Sequence, residues 1–121
     1  MPRTSKAPPR VVIFAGPNGA GKSTHADAIL AALGIATFVN ADYIARGLSG
    51  RNTDAVAFEA GRIMLKRLHQ LRDAGVDFAF ESTLSSRTFA TFLATLKQQG
   101  YAVVIYYFAL ANAQLAVRRV K

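Results

Sequence analysis

Val11-Val12-Ile13-Phe14-Ala15-Gly16-Pro17-Asn18-Gly19-Ala20-Gly21-Lys22-Ser23-Thr24 is the stretch whose reading decides the fold. Its first five residues are apolar and rich in β-branched side chains, which predicts a short buried strand. From Gly16 to Ser23 the residues fit the pattern G-x-x-x-x-G-K-[ST]. Beyond it, Ala26, Ile29, Leu30 and Leu33 recur at i, i+3, i+4, i+7, one face of a helix that Gly34 should end. A strand, a glycine loop and a helix in this order are the setting in which that pattern is a phosphate-binding loop.

Glycines let a backbone fold around a polyphosphate with successive N–H groups pointing inward. Pro17 has no N–H, so the donors must follow it. The nucleotide-contacting residues expected here are Gly16, Asn18, Gly19, Ala20, Gly21, Lys22, Ser23 and Thr24. The start of the helix adds the positive end of its dipole. Lys22 can reach the β- and γ-phosphates as a point charge. The Ser23 hydroxyl suits Mg²⁺, which takes few protein ligands and keeps its waters. The expected ligands are therefore ATP and Mg²⁺.

Composition narrows the remaining classes. A chain of 121 residues, 51% hydrophobic, is one domain with enough apolar surface for a core. The net charge is +8, but residues 11 to 117 hold nine Lys/Arg against seven Asp/Glu, a surplus of only two. The basicity sits at the ends, in Arg3, Lys6, Arg10, Arg118, Arg119 and Lys121. That disfavours nucleic acid as a partner of the folded body. With no cysteine, disulfides, thiolate metal sites and cysteine nucleophiles are excluded. No signal-peptide apolar stretch and no membrane-length run are present, so the expected compartment is the cytosol.

Residues 1–10 read as a disordered basic leader and 11–121 as the domain. A second strand is expected over 36–40, a loop over 47–52 and a helix over about 53–74. The buried stripe of that helix should be Ala57, Ala60, Met64, Leu68 and Leu71. A third strand is expected over 76–81 and a helix over about 86–99, with Phe89, Phe92, Leu93 and Leu96 inward. A fourth strand, 102–110, is followed by a helix that Asn112 would cap. Strands alternating with helices predict an α/β three-layer sandwich with a mainly parallel sheet of about four strands.

Ligands of such sheets bind beyond the carboxyl ends of the strands. That rule collects Asn40 and Asp42 after the second strand, Glu81, Ser82 and Thr83 at the third, and the arginines after the fourth. Asp42 is a candidate base for a hydroxyl acceptor, or a helix cap. Glu81 closes an apolar strand, where a carboxylate needs a partner: water-held Mg²⁺, a substrate hydroxyl, or an ion pair with Arg87. Thr83 could touch substrate or brace a turn. Arg118 and Arg119 could reach phosphate oxygens or simply end a helix in solvent. His25 and His69 have no metal-ligating company.

The string Gly16 to Thr24 also resembles the loop of ABC-transporter ATPases. That likeness is shallow: Leu48-Ser49-Gly50 is followed by Arg51-Asn52 and comes too early for their signature. A wider set resembles the zeta toxin family of small P-loop kinases: Val11 to Thr24; Asn40-Ala41-Asp42; Phe78-Ala79-Phe80-Glu81-Ser82-Thr83-Leu84-Ser85; and Val103 to Leu110 with Leu115-Ala116-Val117-Arg118-Arg119-Val120. The resemblance implies a P-loop NTPase fold of the nucleoside-monophosphate-kinase kind. It implies transfer of the ATP γ-phosphate to a hydroxyl of a small substrate, such as UDP-N-acetylglucosamine. Lys22 and Ser23 would serve phosphates and metal, Asp42 the acceptor proton, and Asn40, Glu81 and Thr83 the substrate. Arg119 would be a phosphate-facing catalytic residue, and an antitoxin protein is an implied partner. Two departures stand out. Ser85 takes a place where some members carry a basic residue. The chain also stops where relatives add a second basic lid residue and another strand, so it is expected to be truncated, with an apolar fourth strand left at the sheet edge. An inactive nucleotide-binding module or toxin remnant is the alternative.

Overall fold

The apolar run at the start of the motif forms β1 (Arg10–Ala15), and β1 lies in the middle of the sheet. The computed structural model describes residues 7–16, 22–48, 53–82, 87–108 and 115–120, with the backbone alone for Lys22, Ser23, Thr24, Asp42, Thr53 and 115–120. Among the described residues the sheet has five strands in the order β2-β3-β1-β4-β5. These are β2 (Phe38–Val39), β3 (Phe78–Ser82), β4 (Ala102–Phe108) and β5 (Leu115–Val120). The first four run parallel; β5 returns antiparallel on β4. The helices are α1 (Lys22–Leu33), α2 (Ala41–Gly47), α3 (Thr53–Ala74) and α4 (Arg87–Gln98).

A strand paired on both edges and covered on both faces can carry an uninterrupted apolar run. Val11 through Ala15 are accordingly buried, none more than 2% exposed. Their side chains alternate between two cores. Val11, Ile13 and Ala15 pack with Phe78, Phe80 and Val103 and with Leu68 and Leu71 of α3 and Phe92 and Leu96 of α4. Val12 and Phe14 pack with Ala79 and Phe108 and with Ala26 and Leu30 of α1. On the first face Phe80 meets Phe89 and Phe92 edge-on, with ring centroids 5.2 and 6.0 Å away, the favoured arrangement for ring quadrupoles. The periodic stripes expected of α1, α3 and α4 are these buried faces, except that Ala57 is exposed.

The C-terminal end of α3 is secured from β4's entry. Tyr101 is buried, and its hydroxyl lies 2.8 Å from the Val76 carbonyl and 3.1 Å from that of Leu71. One of the helix's last, otherwise unpaired carbonyls thus gains a partner. Burial, with Asp77 adding to it, pushes the Tyr101 phenol up to about 12. The same end of the sheet includes Arg10, the first residue of β1, whose Nε and Nη2 donate to Asp77 Oδ2 at 3.1 and 2.9 Å. Arg10 therefore belongs to β1 rather than to a leader, and Ala102 N–H donates to the Pro9 carbonyl at 2.9 Å.

One expected element is wrong in kind. The segment predicted as a helix after Asn112 is the strand β5 from Leu115 onward, paired with β4 from Phe108↔Leu115 to Val103↔Val120; Asn112 itself lies outside the described residues. The physical reason is the edge of β4. An apolar strand leaves a row of N–H and C=O groups at its border, and pairing satisfies them. β4 is thus not the bare edge expected from the sequence. The second strand is also shorter than predicted, two residues rather than five.

Candidate functional site

The carboxyl ends of β1, β2 and β3 lie side by side, and they bring Gly16, Asn40 and Glu81 to one edge of the sheet. Gly16 leaves β1 with φ of +129°, and a Cβ there would overlap the Phe108 carbonyl oxygen. The chain therefore begins its loop by passing hard against the end of β4, which only a residue without a side chain allows. Asn18, Gly19, Ala20 and Gly21 lie outside the described residues. Lys22, Ser23 and Thr24 form the first turn of α1, immediately after that loop. Their backbone N–H groups belong to the helix end that lacks intrahelical acceptors, where anions are favoured. His25 stacks on Phe108 at 5.5 Å, so α1 is tied to the same strand end that Gly16 crosses.

Asn40 is the buried polar residue of this region, 3% exposed. Its Nδ2 donates to Glu81 Oε2 at 2.8 Å, and its Oδ1 accepts from the Tyr43 N–H at 3.4 Å. The second contact makes Asn40 the N-cap of α2. The first gives Glu81 the partner that a carboxylate at the end of an apolar strand requires. The amide is suited to this because it carries both a donor and an acceptor. Asn40 thus ties the carboxylate of β3 to the helix that carries Asp42. Asp42 sits in the first turn of α2, one residue beyond its start, so it is not the cap. Further along, the α2 ring of Tyr43 meets Phe38 edge-on at 6.3 Å, and the Arg46 guanidinium lies 5.4 Å from the Tyr43 centroid.

Thr83 lies outside the described residues. Arg119 is on β5, not on a helix, and its register partner is Val104. The strand pair starts at Phe108↔Leu115 beside the loop edge, so Arg119 lies four residues back along the ladder, about 13 Å from that edge. Arg118, opposite Ile105, is carried the same way. The element from which Arg119 was expected to face phosphate is thus a strand rather than a helix. The double duty of Asn40 was missed in the sequence, although an Asn at a strand end before a helix is a capping signal. Among the described residues no group of three His, Asp or Glu side chains could hold a metal. Mg²⁺ beside phosphates does not need one.

The β1–loop–α1 unit, the central position of β1 and the polar edge define a P-loop domain with the fold of P-loop kinases. In particular, residues 11–121 match the family described as AAA domain, and the chain belongs to that family. An uncharacterized protein of Haemophilus influenzae is 27% identical over 112 residues, covering 93% of this chain and 79% of that protein. Among solved structures, a candidate kinase from Chloroflexus aurantiacus superposes with a TM-score of 0.71 at 15% identity over 86% of this chain. The PezAT chromosomal toxin-antitoxin system of Streptococcus pneumoniae gives 0.70 at 21% identity over 88%. The APS kinase CysC of Mycobacterium tuberculosis gives 0.56 at 21% identity, over 91% of this chain and 82% of that one. This chain spans 61% of the Chloroflexus protein and 49% of the PezAT chain, less than two thirds of either.

Proposed function

We propose that this protein binds ATP with Mg²⁺ and transfers the γ-phosphate to a hydroxyl of a small substrate. The observation that carries the reading is the Asn40–Glu81 hydrogen bond of 2.8 Å, set at the same sheet edge from which Gly16 leads into the phosphate-loop sequence. Lys22 and the N–H groups of the following turn hold the phosphates. The Ser23 hydroxyl would hold Mg²⁺, which would supply neutralisation of charge on the phosphate oxygens. Asp42 accepts the acceptor's proton as its oxygen bonds to the γ-phosphorus and the bond to the ADP oxygen breaks. Glu81, oriented by Asn40, fixes the acceptor, a role that Thr83 shares. Because such transfer asks little covalent chemistry of the protein, positioning and charge do most of the work.

The acceptor class that the zeta toxin resemblance points to is a nucleotide-sugar, UDP-N-acetylglucosamine being the first to test. The likeness in fold to the PezAT structure supports the same family and, with it, a protein partner of antitoxin type. Isothermal calorimetry with ATP and Mg²⁺ tests the first half. Lys22→Ala should abolish binding, and unchanged affinity would refute the site. Mass spectrometry of UDP-N-acetylglucosamine incubated with ATP tests the second half. Asp42→Ala should spare ATP binding and remove the phosphorylated product. A second reading, nucleotide binding without transfer, is favoured by the displacement of Arg119 down β5. ATP binding with no product from any hydroxyl acceptor would select it.

A further inference from the structure

Beside the active crevice, an open groove of about 600 Å³ runs along β2, between that strand and the flank of α3. β2 is an edge strand of the sheet among the described residues. Ala79 N–H donates to the Thr37 carbonyl at 2.8 Å, so Thr37 turns its backbone groups toward β3. Peptide groups alternate sides along a strand. Phe38 therefore directs its N–H and C=O at the open edge. Above that edge stand Lys66 and Arg67 of α3, both exposed and without an ion-pair partner among the described residues. Among the described residues no acidic side chain lines the groove, and Phe38, Tyr43 and Ile63 give it apolar walls.

We propose that this groove is a docking site for an extended acidic segment of a partner protein, which adds to the sheet beside β2. The chemistry selects the occupant. The backbone edge offers a donor and an acceptor at strand spacing, which an extended peptide matches. α3 covers the face of the sheet opposite to the one on which Phe38 packs. A bound strand would therefore place alternate side chains under Lys66 and Arg67 and the rest beside Phe38. The segment that fits has acidic residues at every second position and apolar residues between them. A second copy of this chain fits poorly, because its own groove and net charge of +8 are of the same sign. A single-stranded nucleic acid meets the two cations but cannot pair with the Phe38 amide. The inference is independent of phosphoryl transfer in the crevice.

The test uses the full chain and an end-capped peptide that alternates Glu and Val over about eight residues, at low ionic strength. Its counterpart with Lys in place of Glu and an oligothymidylate serve as competing probes. The Glu peptide should bind and slow hydrogen exchange at the Phe38 amide. The double variant Lys66→Glu/Arg67→Glu, on the exposed side of α3, should keep the fold and lose about tenfold in affinity for it. The same variant should gain affinity for the Lys peptide. Failure of the Glu peptide to bind would overturn the proposal. So would binding that ignores the charge reversal, or binding that leaves Phe38 exchange unchanged. Equal charge-dependent binding of the oligothymidylate would make the groove a polyanion site instead.

Discussion

Replacing Asn40 separates its two roles. In Asn40→Ala both contacts go. The cap contact to Tyr43 is long at 3.4 Å, which puts its loss at the low end for a cap, about 0.5 kcal/mol. The bond to Glu81 is short at 2.8 Å and charge-assisted, but Glu81 is only half-buried, so its loss is about 1.5 kcal/mol. The sum, about 2 kcal/mol, is roughly a 30-fold change in the unfolding equilibrium. Asn40→Asp keeps the acceptor for Tyr43 and removes the donor, setting two carboxyl groups against each other at that distance. They cannot both ionise cheaply, so the folded variant retains a proton that the unfolded chain releases. A carboxyl whose proton is held more tightly in the folded state contributes fully at low pH and loses that contribution as pH rises. The Asp variant should therefore be close to the native protein near pH 4 and clearly weaker than the Ala variant near pH 7. Urea unfolding followed by circular dichroism at the two pH values reads this directly. An Asp variant whose deficit does not change with pH would refute the Asn40–Glu81 contact and the orientation of Glu81 built on it.

Other perturbations test separate parts of the structure. Tyr101→Phe removes the hydroxyl that meets the Val76 and Leu71 carbonyls and should cost about 1–2 kcal/mol by urea unfolding. Because burial raises this phenol from 10.0 to about 12, its contribution should be complete below pH 10 and fade as pH rises through that interval. The stability gap between the native protein and the Phe variant should narrow accordingly. Gly16→Ala meets both a positive φ and the Phe108 carbonyl. It should lower stability by about 2 kcal/mol or more and weaken ATP binding; a variant with native Tm and native affinity would contradict the close approach. Amides 115–120 should be protected from hydrogen exchange in alternation, as expected for a strand paired on one side among the described residues, whereas uniform protection would indicate the helix that the sequence suggested.

The legible parts of the fold were those where local pattern and tertiary need agree. Val11–Ala15 reads as a buried strand because an apolar run of that length has no other stable place. The stripes of α3 and α4 read correctly because long 3.6-residue periodicity is hard to mistake. Residues 115–120 failed on the same criterion. Leu115, Ala116, Val117 and Val120 satisfy a helical face and a strand about equally, and a six-residue run is too short to separate them. What decides the matter is the open border of β4, a long-range demand that no local window contains. The carboxyl-end rule located Asn40 and Glu81 correctly at one edge. Their direct hydrogen bond depends on the parallel register Phe38↔Ala79 and Val39↔Phe80, which composition does not reveal. The role expected of Arg119 presupposed a helix, and the element that carries it is a strand.

The central position of β1 has a dynamic consequence. With β3 and β4 bonded along its two borders and its side chains sealed from solvent, no partial opening can release its amides. Their exchange should wait for complete unfolding and so gauge the stability of the entire molecule. The base of the phosphate loop is thereby anchored to the last element to yield. A nucleotide that tightens the loop should slow exchange throughout the sheet, by the same factor at every β1 amide.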